Sequence, residues 1–403
     1  MSIVKLFIVF ILVMFLVAKK QPIHIAVTAG AAVTWLLYDI SAVDGILLIT
    51  KACTSWNTFS LIIVMYIITF LQKMMGQRGA IHRAQKGLSS LFNNNWVNCA
   101  AAPIFIGMLP TPNAAFIAGD IVKASASEYL EYDDIAVTTT YFRHVSESFM
   151  PTYNATILAI GLAGVSAGEF VVGMLPVVVC IIASGCFWFL YGKVPMATGE
   201  PASTNKGKDL KDIFIGLWPI LSVILMAVIL KMEIYVAGAF IVCIYAFVSK
   251  FSASELILFF RSSLQPKLYI NTLAVMILKE FIMASNAIHA LPDFFAQFPI
   301  PTFLIFTLIF FFGSIISGSQ AIISLCLPVA MASVPGPGLP LFCLLMGITY
   351  VGMQMSPTHV CLTLIADYFG ISFGNLIKKT LPAVLTTVVF TVIYYILWTN
   401  LLY

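Results

Sequence analysis

The sequence predicts an all-α polytopic membrane protein built as an inverted repeat. Each half would hold about five spanning helices and one re-entrant helical hairpin. Three observations carry this. Of 403 residues, 61% are hydrophobic and only 9% charged, whereas soluble domains carry roughly 25% charged residues. The apolar residues gather into long runs divided by short polar stretches. Two of these runs are too long for one crossing and are interrupted near their middles by helix breakers, at corresponding places in the two halves.

The first run, "KLFIVFILVMFLVA" (5–18), has the single positive charge of a secretory leader. It lacks a small-x-small cleavage site, and another apolar run follows within a few residues, so it reads as a span. Further runs lie at about 22–38, 58–75, 135–165, 168–192, 213–231, 234–249, 268–284, 341–366 and 380–402, against the roughly 17–25 residues a spanning helix needs. Residues 96–124 and 302–333 read instead as hairpins that enter and leave on one side. "MLPTPNA" interrupts the first and "SGSQA" the second. Pro110 and Pro112 cannot both sit inside one continuous helix, and broken backbone at membrane depth survives only within protein or beside a wet cavity.

The polar stretch 193–212, "KVPMATGEPASTNKGKDLKD", is read as a cytoplasmic linker between a first repeat, 1–192, and a second, 213–403. A shift of 211 residues lays "SAVDGILL" (41–48) over "SASELILF" (252–259) and Val64-Met65 over Val275-Met276. A shift of 206 lays Thr111-Pro112-Asn113 over Ser317-Gly318-Ser319, and "PTYNATILAI" (151–160) over "PTHVCLTLIA" (357–366). Four matches in order point to duplication. Asp44 and Glu255 open matching amphipathic stretches suited to the membrane interface. Placing the 73–95 loop in the cytoplasm puts 17 of the 21 Lys and Arg residues inside. The expected location is the inner (cytoplasmic) membrane, with both termini outside. Five crossings per half is an odd number, so the halves thread the bilayer in opposite senses and their hairpin tips approach near the midplane.

The charge of +4 is scattered, with no basic stripe interleaved with aromatics, which excludes a nucleic-acid partner. The eight cysteines form no C-x-x-C pair and read as small hydrophobes. No catalytic motif and no cofactor is expected. Ser356 and His359, at i and i+3, are the nearest thing to a nucleophile and base, and no motif fixes them as such.

Four interruptions therefore converge. Two are the tips, with Thr111, Pro112 and Asn113, and with Ser317, Gly318, Ser319 and Gln320. Two are Pro-Thr breaks, with Thr152 and Asn154 after Pro151, and with Ser356, Thr358 and His359 around Pro357. Broken helices expose N-termini that favour an anion, and carbonyl and hydroxyl oxygens that suit a cation such as Na⁺. His359 can donate to an anion or carry a proton; its counterpart in the first half is Tyr153. Arg143, His144 and Glu147 precede the first Pro-Thr break, with Arg143 and Glu147 spaced to pair on one helix face about 12 Å below the break. This group is a candidate coupling or charge pair. Lys279 and Glu280, adjacent on a helix, are expected to find separate partners.

"GMLPTPNAAF", "YFRHVSESFMPTYNA", "ISGSQAI" and "QMSPTHVCL" together resemble an uncharacterised prokaryotic integral-membrane family of the ion transporter superfamily. That clan holds permeases for citrate, gluconate, C4-dicarboxylates, sulfate and arsenite. The resemblance implies an inverted-repeat elevator, often a homodimer, with a scaffold part and a moving part that carries hairpins and broken helices. It also implies that Thr111, Asn113, Ser317, Ser319 and Gln320 bind substrate or ion, and that Thr152, Asn154, Ser356 and Thr358 complete the site. The tips read Thr-Pro-Asn and Gly-Ser-Gln where sodium-coupled carboxylate members carry Ser-Asn-Thr. The expected function is secondary active transport of a small anion, an organic acid, coupled to Na⁺ or H⁺. An anion channel or an exporter is the alternative, and an intramembrane enzyme a more distant one.

Overall fold

The computed structural model describes residues 2–19, 21–92, 94–108, 113–198, 205–285, 291–295, 297–334, 336 and 338–402. Thr111 and Pro112 lie outside the described residues. Asn113 opens a helix, but its side chain is not described.

The chain is helical throughout these residues, with one isolated β-bridge between Asn94 and Ala197. Apart from α-helices, it uses only short π and 3-10 segments. The first half runs α1 (Ser2–Ala18), α2 (Ile23–Leu37), α3 (Ala42–Thr54), α4 (Trp56–Gln77) and α5 (Ala80–Phe92). A π-helical stretch, Val97–Ala101, leads into α6 (Ala102–Gly107), followed by α7 (Asn113–Ala126) and α8 (Tyr132–Arg143). A 3-10 turn, Val145–Ser148, then precedes α9 (Asn154–Ala163) and α10 (Ala167–Gly185). The second half runs α11 (Lys206–Ile229), α12 (Ile234–Val248), α13 (Ala253–Ser262), α14 (Pro266–Ala284) and α15 (Leu291–Phe295). It closes with α16 (Thr302–Ser317), α17 (Ser319–Ser333), α18 (Gly338–Met353), α19 (Val360–Phe369) and α20 (Phe373–Leu402).

The two series follow one order, and their backbone peculiarities recur at the two shifts read from the sequence. Asp39 and Lys250, 211 residues apart, both turn left-handed, at φ 52° and 51°. Ser41 and Ser252, the same distance apart, both cap a helix by accepting from the backbone N–H of the acidic residue three positions on, Asp44 or Glu255. Gly164 and Gly370, 206 apart, end α9 and α19 in the left-handed conformation, where the absence of a Cβ removes the strain.

α16 gives way to α17 at Gly318, inside the second interruption; residues 109–112 of the first lie outside the described residues. α6 packs on α7 across the first interruption, and α16 on α17 across Gly318. The stretch 73–95 differs from the loop expected of it. α4 continues to Gln77 and α5 occupies most of the rest. α5 is strongly amphipathic, so its polar content hid the helix. It packs along α11, which begins inside the stretch read as a linker. A Cβ on Gly216 of α11 would lie 2.3 Å from the Ala80 carbonyl, so only glycine permits this approach.

Packing across the halves is reciprocal. α2 packs on α14 and α12 on α4; α9 packs on α17 and α19 on α7. α10, α18 and α20 form a shared wall, with Phe170 stacked against Phe342 at 5.1 Å. Among the described residues, four helical stretches are long and apolar enough to cross a membrane alone, with shorter apolar helices between them. Large apolar side chains such as Phe214, Leu225 and Phe247 face outward, as a lipid-facing surface requires. All of this fits a polytopic membrane protein.

Candidate functional site

Each interruption leaves a helix C-terminus with carbonyls that have no intrahelical partner, and a following helix whose first N–H groups have none either. The protein treats the two ends differently. Its carbonyls are met by side chains from neighbouring interruptions. α8 stops at Arg143, freeing the Tyr141 carbonyl, which accepts from Gln354 Nε2 (3.1 Å) and from the Tyr350 hydroxyl (3.3 Å) beside the second Pro-Thr break. Gln354 Nε2 also reaches the Tyr350 oxygen at 2.6 Å. Near the end of α16, the Ile315 carbonyl accepts from Ser356 Oγ at 2.8 Å. The Gly107 carbonyl at the end of α6 accepts from the Tyr153 hydroxyl.

The N-termini are not met in this way. α9, α17 and α19 begin at Asn154, Ser319 and Val360 with no side-chain cap. Side-chain caps are found on α3, α4, α10, α11, α13 and α20, which all begin elsewhere; α2, α6, α8, α12, α14 and α16 also begin without one. Near the uncapped ends, Thr152 Oγ1 and Gln320 Nε2 are buried without a hydrogen-bond partner. In a low-dielectric interior, unpaired donors are costly, so their concentration here is informative.

Packing of α9 on α17, α17 on α18 and α19 on α8 draws the second tip and both Pro-Thr breaks toward one another. Thr358 Oγ1 lies 2.7 Å from Ser356 Oγ. Gly318, at φ 80°, turns the second tip against Thr358. Ser317 spends its hydroxyl on the Gly313 carbonyl of its own helix.

Arg143 is not set back from the break. The helix ends at it, and the 3-10 turn folds the chain so that it joins the constellation. Its side chain is 1% exposed and lies 3.7 Å from Glu147. The pair is thus made through a turn rather than along a helix face. A Cβ on Gly107 would lie 1.9 Å from the Arg143 carbonyl, so α6 touches the end of α8 here. His144 Nε2 receives Arg143 Nη1 at 3.1 Å and meets His359 Nε2 at 2.8 Å. Tyr153 and His359, matched by the 206-residue shift, are the N-cap residues of α9 and α19.

His144, His359 and Cys361 place donor atoms within 4.8 Å of one another. The Arg143 guanidinium occupies the approach to the same His144 nitrogen, which opposes a cation there. Sequence reasoning missed Tyr141, Tyr350, Gln354 and Cys361. A signal existed for Gln354, a lone amide in an apolar run two residues before Ser356. The others are apolar-compatible residues, and only the tertiary packing recruits them.

Lys279 and Glu280 do part company. Glu280 pairs with Lys51 of α3 at 2.7 Å, while Lys279 lines a cavity of about 1470 Å³ between α4, α12 and α14 on one side and α9, α10, α17 and α20 on the other. That cavity meets α9 and α17 toward their C-terminal ends, away from the interruptions.

The model of a family described as "Protein of unknown function (DUF401)" matches residues 1–397. No curated protein matches the chain. Among solved structures, the chain resembles MtrF of Neisseria gonorrhoeae, described with a class of antimetabolite efflux pumps, at 14% identity and a TM-score of 0.60. The match covers 90% of this chain and 85% of that one. At this identity the likeness establishes a shared fold.

Proposed function

The chain belongs to the DUF401 family of proteins of unknown function, and from that premise we propose that it is a secondary active transporter of a small organic anion. The observation that carries this is the asymmetry at the interruptions. Three carbonyls there accept from protein side chains, while three helix N-termini have no side-chain cap, two of them, those of α9 and α19, beginning near the buried Arg143. Positive dipole ends and a guanidinium select an anion. Thr152, Asn154, Ser319, Gln320, Thr358 and His359 would contact it, with Ser317, Gly318 and Ser356 shaping the second tip. Thr111, Pro112 and Asn113 would complete the site from the first.

The recurring backbone turns and reciprocal packing support an inverted repeat with two re-entrant hairpins, in the manner of the ion transporter superfamily. An elevator motion would carry α6–α10 and α16–α20 against α1–α4 and α11–α14, within an inner-membrane homodimer with both termini outside. No enzymatic step is part of this reading. Export is a second reading, favoured by the likeness to the efflux pump; it changes direction, not site.

The test is counterflow in proteoliposomes across a panel of organic acids. A carrier gives saturable exchange of one class of acid, abolished by Arg143→Met. Unsaturable leakage, or exchange indifferent to Arg143, contradicts the proposal.

A further inference from the structure

The two imidazoles that meet across the halves have hydrogen-bonding roles that the geometry assigns. His144 Nδ1 lies 2.5 Å from the Thr140 carbonyl oxygen, which can only accept, so this nitrogen carries the hydrogen. His144 Nε2 receives the Arg143 guanidinium, which can only donate, so this nitrogen presents its lone pair and His144 is neutral. It faces two donors, Arg143 Nη1 and His359 Nε2. His359 must therefore carry its hydrogen on Nε2, which leaves Nδ1 as the one imidazole nitrogen of the pair still open to a proton.

The two rings differ in access. His144 is fully buried. His359 is half-buried and stands between exposed neighbours, Thr358 and Val360. Among the described residues, Glu147 from the 3-10 turn lies 3.9 Å from His144 Nε2 and Cys361 from α19 sets its sulfur within 4.8 Å of ring nitrogens of the pair, while Tyr153 from the turn before α9 and Tyr350 from α18 interact with Glu147.

We infer that the His144–His359 pair is the coupling-ion site of the transporter proposed above, and that the coupling ion is a proton rather than sodium. The proton enters at His359 Nδ1, and the resulting imidazolium keeps its Nε2–H on His144 Nε2. No bond other than this N–H forms or breaks. Sodium needs several oxygen ligands; three carbonyls at the described interruptions, those of Tyr141, Ile315 and Gly107, already accept from side chains, and the pair itself offers ring nitrogens beside a guanidinium. Arg143 fixes the linkage. An anion beside its permanent charge makes the extra proton easier to hold, so proton and anion bind cooperatively. The inference rests on the transporter reading for its physiological meaning, though not for its test.

The test uses full-length protein in liposomes, labelled with 15N-histidine and read by solid-state NMR from pH 5 to 9 in choline buffer without substrate. The expected result is one hydrogen-bonded imidazole pair that takes up one proton between its two rings, with both signals altered by His359→Gln. Two imidazoles titrating independently overturn the inference, as does a pair that responds only when sodium replaces choline. Because no acid is moved, a chain that fails every counterflow assay defeats the transporter reading while leaving this result standing. With an acid that does exchange, a one-unit pH gradient is expected to change its accumulation about tenfold, an effect lost in His359→Gln. Accumulation that follows a sodium gradient alone overturns the inference.

Discussion

At the scale of single residues, Arg143 is the group on which the site turns. It is 1% exposed, with Glu147 at 3.7 Å and His144 at 3.1 Å. Removing one partner of a buried pair leaves an uncompensated charge, at a cost of about 3–5 kcal/mol. Arg143→Met is therefore expected to lower the melting temperature of the purified protein sharply, and Arg143→Met combined with Glu147→Leu to recover most of that loss without recovering anion binding. A thermal-melt series with and without acid separates the two effects. The sequence pointed to Arg143, His144 and Glu147 because ionisable residues deep in an apolar run are expensive and so call for a role. It could not show that the helix ends at Arg143, because nothing local in "YFRHVSESFM" breaks a helix. The element that meets that end, α6 through Gly107, is distant in sequence.

At the scale of elements, the interruptions were legible because proline and glycine act on their own backbone. Gly318 is the sharpest case. At φ 80° and ψ 163° it occupies a region that L side chains avoid, so Gly318→Ala is expected to cost roughly 1–3 kcal/mol and to swing the second tip away from Thr358. A loss of stability together with weaker acid binding is the expected readout. α5 was not legible, since a short basic amphipathic helix shows no apolar run, and its partner α11 lies far along the chain. α13 gives a pH test. Its Glu255 carboxyl is held below the usual range by the Ser252 backbone N–H, then by Arg78 and the Ser252 hydroxyl. A lowered carboxyl stabilises above its unfolded value, and that contribution is lost as pH falls through the folded one. α13 is thus expected to stay docked at neutral pH and to loosen only in acid. Arg78→Ala should move the loosening to higher pH, read by hydrogen exchange of the α13 amides.

At the scale of the whole molecule, the shifts matched in the sequence reappear in the backbone, because caps and left-handed turns depend on single residue types. Ser41 and Ser252, and Gly164 and Gly370, are spaced by the shifts that the sequence matches required. What the sequence lacked was the reciprocal packing of α2 on α14 with α12 on α4, because apolar faces do not name their partners. The account's central claim is that an anion sits where the N-termini of α9, α17 and α19 meet near Arg143. The most direct measurement is a density map of the full-length protein saturated with whichever acid stabilises it most, carrying a heavy halogen. Density beside Asn154, Ser319, Val360 and Arg143 is the predicted result. Density confined to the cavity around Lys279, or an unbroken helix running through residues 107–116, would contradict it.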